Sequence, residues 1–170
     1  MTRAETQLAG YYALYEPALA RLGKALRAKL RERLPGLTEV VYLYENQNSL
    51  VISYSATEKG YEALCSLALN PTGAKLFFAQ GPLLAKADRN KLLQGSGKVV
   101  RFVELGTVAD LGRPDIEALM TAAVLQAKLQ LDASATGAII IKADGQRQRA
   151  SRARAVAAKK PVRRKPKPKR

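Results

Sequence analysis

The chain has 170 residues with a formal net charge of +15, 47% hydrophobic residues, one cysteine and no histidine. That length suits one domain, with or without an appendage, and that apolar fraction is enough to bury a core. The missing histidine excludes Ser-His and Cys-His nucleophile pairs, imidazole general bases and His-ligated metals, and a lone Cys65 excludes an internal disulfide, thiolate zinc sites and iron–sulfur clusters.

From Pro17 to Leu34 the leucines at 19, 22, 26, 30 and 34 recur every three or four residues, which predicts an amphipathic helix. Pro17 suits its first turn and Pro35-Gly36 stops it. Arg21, Lys24, Arg27, Lys29, Arg31 and Arg33 surround that stripe against Glu32 alone, so a basic outer face is expected. Thr38–Tyr44 is β-branched and aromatic, Glu45-Asn46-Gln47-Asn48 is turn chemistry, and in Ser49–Tyr54 residues Leu50, Ile52 and Tyr54 share one face. Together they predict a β-hairpin.

Glu62–Leu69 places Cys65, Leu67 and Leu69 on one side, and Lys75–Ala79 follows Asn70-Pro71-Thr72-Gly73 as a fourth strand. A connection over 80–97, with a helical turn near Asp88–Leu93, leads to a fifth strand, Lys98–Leu105. Cap chemistry from Asp110 to Pro114 opens a second helix with Ile116, Leu119, Met120, Ala123 and Ala127 facing inward. Ala138–Ile141 is a candidate edge strand. The predicted class is α+β: an antiparallel sheet of about five strands, N- and C-terminal helices packed on one face, and a disordered C-terminal tail. The domain is expected over residues 1–145 and the tail over 146–170.

The stretches Val41–Ile52, Ser66–Pro71, Leu76–Phe78 and Leu92–Arg101, followed by Asp110-Leu111 and Arg113-Pro114, resemble in order and spacing the YdhG-like family of small bacterial proteins, a domain of unknown function. The resemblance runs from about Thr38 to Leu131. It implies a frataxin-type α+β sandwich, and some members of that family are proposed iron chaperones. A frataxin-like iron site uses an acidic ridge on the first helix and strand, because hard iron prefers carboxylate oxygen. Here that helix carries six basic residues against Glu32, with Glu16 at its start, which argues against iron delivery. No metal site and no cofactor are assigned.

Gly95-Ser96-Gly97-Lys98 invites a phosphate-loop reading, but Leu92 and Val99 stand where that motif needs Gly and Ser or Thr. A tight turn entering a strand accounts for it, with a weak anion nest as the alternative. Tyr42, Tyr44, Asn46 and Asn48 gather aromatic and amide groups at one hairpin, a candidate ligand pocket. The same residues equally suit a half-buried strand and its turn. Cys65 reads as a small buried hydrophobe. Nothing calls for an enzyme.

The charge is unevenly placed. Of the 29 Lys and Arg, twelve lie between Arg147 and Arg170 with no Asp or Glu, while the other 17 are set against all 14 acids, a balance of only +3. Those twelve are Arg147, Arg149, Arg152, Arg154, Lys159, Lys160, Arg163, Arg164, Lys165, Lys167, Lys169 and Arg170. The segment has no Leu, Ile, Met or aromatic residue, so it forms no core, and three prolines after residue 160 keep its end extended. Such a tail can hold a nucleic acid or other polyanion through phosphates, without reading sequence. A purely solubilising tail, or one that meets an acidic protein or membrane surface, are the alternatives. A small-ligand or metal-handling domain is the second functional expectation. With no apolar run near the ~18 residues that span a bilayer and no basic-then-apolar start, a cytoplasmic location is expected.

Overall fold

The structure, a computed structural model, describes residues 2–142, so the tail expected over 146–170 lies outside the described residues. The chain opens with a helix that the periodicity did not announce, α1 (Arg3–Tyr12). Thr2 caps it by accepting from the Glu5 amide at 3.2 Å. Only Leu8 and Tyr12, four residues apart, are buried from it, a stripe too narrow to be read from sequence. Helix α2 (Pro17–Arg33) starts on proline and ends before Gly36, whose φ of 80° lies in the left-handed region. It buries Ala20, Gly23, Leu26 and Leu30. At Gly23 a Cβ would overlap a Leu69 methyl, so glycine sets how closely α2 lies on the sheet.

Among the described residues, six strands follow the order β5-β4-β3-β2-β1-β6. They are β1 (Thr38–Tyr44), β2 (Ser49–Ser55), β3 (Ala63–Asn70), β4 (Gly73–Phe78), β5 (Arg101–Leu105) and β6 (Ile139–Ile141). The first five pair antiparallel in sequence order, as expected. β6 joins the far edge parallel to β1, with Glu39 N–H to Ala138 C=O at 2.8 Å, so the sheet is mixed. Its approach is tight: a Cβ on Gly137 would run into the Leu37 carbonyl.

Two local expectations shift. The helical turn in the long connection is a 3-10 turn at Gly81–Leu84, while the Asp88 carboxylate accepts the amides of Leu92 and Leu93 at 2.7 and 2.9 Å. Strand β5 starts at Arg101 rather than Lys98, and Val99 and Val100 are exposed. Helix α3 (Pro114–Gln126) follows a Thr107–Asp110 capping box and buries Ile116, Leu119, Met120 and Ala123. Ala127, expected in that stripe, is its exposed C-cap.

Strand register sorts side chains into rows. One row runs Val41, Ile52, Leu67, Leu76, Val103 and another Leu43, Leu50, Leu69, Ala74, Leu105. These rows form one core with Leu8, Leu26, Leu30, Ile116 and Leu119, so all three helices cover the same face. That face also holds a charge. Glu39, 2% exposed, receives Arg27 Nε at 2.9 Å and Nη2 at 2.6 Å, and the same guanidinium reaches Glu5 at 3.1 and 3.2 Å. Desolvation opposes the Arg27 charge, yet the bonds it donates to Glu39 and Glu5 hold its pKa above the ordinary value. The Tyr54 hydroxyl, opposite Glu39 across the ladder, makes no hydrogen bond among the described residues.

Candidate ligand-binding face

The alternate residues of the same strands point away from the helices. Their rows run Tyr42, Val51, Ala68, Lys75, Glu104 and Val40, Ser53, Ser66, Phe77, Phe102. No helix among the described residues lies on this side. A trough of about 780 Å³ crosses it.

Mostly small side chains make the trough floor: Ser53, Ser66 and Ala68 within β2 and β3, Ser49 at the start of β2, and Val51 in the row between Tyr42 and Ala68, all buried or partly buried. Ser53 and Ser66 hydroxyls bond each other at 2.8 Å, and either can donate. Aromatic rings make the walls. Tyr42 and Tyr44, two apart on β1, stack with centroids 6.0 Å apart and planes 21° from parallel. On the opposite side Phe77 lies against Phe102, with centroids at 5.2 Å. Lys75 Nζ sits 4.7 Å from the Phe102 ring centroid. The 3-10 turn Gly60–Glu62 closes one end, carrying Tyr61 at 65% exposure. The turn approaches Tyr42 so closely that a Cβ on Gly60 would stand 2.6 Å from its ring and hydroxyl.

Among the described residues, three charged ones line the trough: Lys59 and Lys142 against Glu58. Lys59 is paired with Glu62 at 3.1 Å, and that hydrogen bond raises its pKa. Lys142 is the last described residue; its amide donates to Val41 C=O at 2.9 Å, which extends the β6 ladder by one step. Alternation from Ile141 then turns its side chain to the trough.

Half of the candidate pocket belongs here. Tyr42 and Tyr44 line the trough, whereas Asn46 and Asn48 do not. Both asparagines serve the hairpin: Asn46 sits in the 3-10 turn Glu45–Gln47, and Asn48 takes the left-handed conformation that ends it, its carbonyl accepting from Tyr15 at 3.2 Å. Missed in the sequence were Tyr61 and Lys142, which carry no strand pattern of their own, and the row of Ser49, Ser53, Ser66 and Ala68. The signal for these residues was present as the complements of two apolar faces: Ser49 and Ser53 alternate with Leu50, Ile52 and Tyr54, and Ser66 and Ala68 with Cys65, Leu67 and Leu69. The twelve tail cations, Arg147 to Arg170, lie outside the described residues.

The remaining candidates resolve into structural parts. Four of the six basic residues on α2 are in ion pairs: Arg27 with Glu5 and Glu39, Lys29 with Glu32, Arg31 with Glu5, and Arg33 with Glu117. The helix is therefore much less of an anion surface than its composition suggested. Arg101 donates to the carbonyls of Gly97 and Val100, so the Gly95–Lys98 loop is tied to a guanidinium through its acceptors. Cys65 is 1% exposed and burial pushes its thiol up to about 12, far from a thiolate nucleophile. Among the described residues no cluster of three or more His, Cys, Asp or Glu could hold a metal ion. No helix among them is long and apolar enough to cross a membrane.

No family model matches this chain, and no curated protein or solved structure matches it.

Proposed function

We propose that the protein is a non-enzymatic nucleic-acid-binding protein, a YdhG-like α+β body that carries a basic tail for the contact with phosphates. The single observation behind this reading is the separation of charge. Twelve cations stand without an acid after residue 146, whereas the body is close to neutral. The ion pairs on α2 support the reading, because they engage four of the six cations on the body's most basic helix. Binding carried by phosphate contacts is non-specific in sequence and steeply salt-dependent. A buried cysteine and the lack of histidine argue against Cys- and His-based covalent catalysis in the body.

The test uses the full chain beside a full-length variant with all twelve tail cations changed to glutamine. Both are titrated with duplex DNA at several salt concentrations. If six to eight cations meet phosphates, the log–log salt slope of the natural chain is about −5 to −7, and the variant's is close to zero. Equal affinity and equal slope for both chains would remove this reading.

A further inference from the structure

We propose that the helix-free face of the sheet is a stacking platform for the bases of single-stranded nucleic acid, with the tail holding the flanking phosphates. This rests on the nucleic-acid reading above and adds to it a preference between single strand and duplex.

Three observations carry it. The first is shape. The floor residues Ser53, Ser66 and Ala68 project little, so a flat ring has room beside the Tyr42–Tyr44 pair or Phe77, its face to an aromatic wall and its edge to the floor. Aromatic walls suit any base, because every base has a π-face, and this needs no sequence reading. The second is polarity. The Ser53–Ser66 hydroxyls can each turn to donate or accept, which suits the mixed edge of a base better than an aliphatic ligand.

The third is where the described chain stops. Lys142 lines the trough, and Arg147, the first of twelve cations, comes five residues later. Even fully extended, five residues reach no more than about 18 Å. The first tail cation is therefore joined to the trough by a link of no more than about 18 Å, while the described lining of the trough is nearly neutral, Glu58 offsetting one of its two lysines. The tether selects a polyanion, and the trough selects one whose ring faces are uncovered. A duplex meets the first condition and fails the second.

The experiment measures the affinity of the full chain for a labelled short oligo-dT and for a labelled duplex at matched salt. Two single substitutions are made in the full chain. Tyr44→Ala removes a wall. Ala68→Leu fills the floor while removing nothing, and guards against a wall variant that simply unfolds; thermal melts accompany both. The expected result is tighter binding of oligo-dT than duplex, an about tenfold loss on oligo-dT in each folded variant, and little change on duplex. The chain has no tryptophan, so quenching of its tyrosine fluorescence by oligo-dT is a second readout, expected in the natural chain and diminished in Ala68→Leu.

Equal binding of single strand and duplex, or a preference kept by both folded variants, overturns the platform and leaves the tail's contact standing. A free mononucleotide bound as tightly as oligo-dT overturns it in favour of a small-ligand site. No binding of either nucleic acid removes both readings.

Discussion

The two faces of the sheet are built from alternate residues of the same strands, yet they are finished differently. The row Val41, Ile52, Leu67, Leu76, Val103 is aliphatic and at most 3% exposed, and three helices lie on it. One residue along, the row Val40, Ser53, Ser66, Phe77, Phe102 is small in the middle and aromatic at one end. Large branched side chains fill space against helices, and burying them drives folding by about 1.5–3 kcal/mol each. Small side chains flanked by aromatic ones on the other face leave a trough. The comparison separates residues that hold the fold from residues available to a ligand, within one seven- or eight-residue strand.

Charge is handled just as differently. On the helix face Glu39 and Arg27 are desolvated and locked to each other, so this pair tolerates no loss of one partner. Arg27→Met leaves the Glu39 carboxylate buried alone and should cost about 3–5 kcal/mol. Adding Glu39→Leu should recover most of that, as chemical denaturation would register. A double variant as unstable as the single one would contradict the assignment of the cost to an orphaned charge.

Neighbours on β3 give the sharpest contrast between the faces. Leu67→Ala opens a cavity under the helices and should cost about 2–5 kcal/mol. Ala68→Leu, one residue on, sends its longer side chain into the trough and should change stability by less than about 1 kcal/mol. Similar costs at both positions would mean that the trough face is as tightly filled as the core.

The smallest expected effect is at Glu5, where the hydrogen bond from Arg27 lowers the carboxyl pKa from its usual 4.5. A lowered folded value means stability that is present above about 4.5 and is lost as the pH falls through the lower folded value. Glu5→Gln should therefore cost less than about 1 kcal/mol at neutral pH. The gap from the natural chain should close in acid. A gap that widens below pH 4.5 would contradict the sign.

Much of this was legible. The β-branched and aromatic stretches became strands with their alternation intact, since burial on one side is written into a period of two. α1 was not legible, because two buried residues make no stripe. The parallel pairing of β6 was hidden because a three-residue isoleucine run does not say which edge it will meet. Nothing in the sequence singled out Glu39, since its partner Arg27 lies twelve positions earlier on a helix. At the site, Tyr42 and Tyr44 stood out by residue type, as did Asn46 and Asn48, which the turn had already claimed. Tyr61 and Lys142 come to the trough through tertiary placement alone.

The proposed function divides the labour: the tail would supply affinity through phosphates and the open face a preference for single strands. The most direct measurement is the ratio of oligo-dT to duplex affinity across a salt series. Both affinities should fall steeply. The ratio should hold or grow with salt, because stacking is not screened and the salt slope per phosphate is shallower for single strands, about −0.7 against −0.9. A ratio that shrinks toward one as salt rises would mean the preference was electrostatic, and would contradict a role for the sheet.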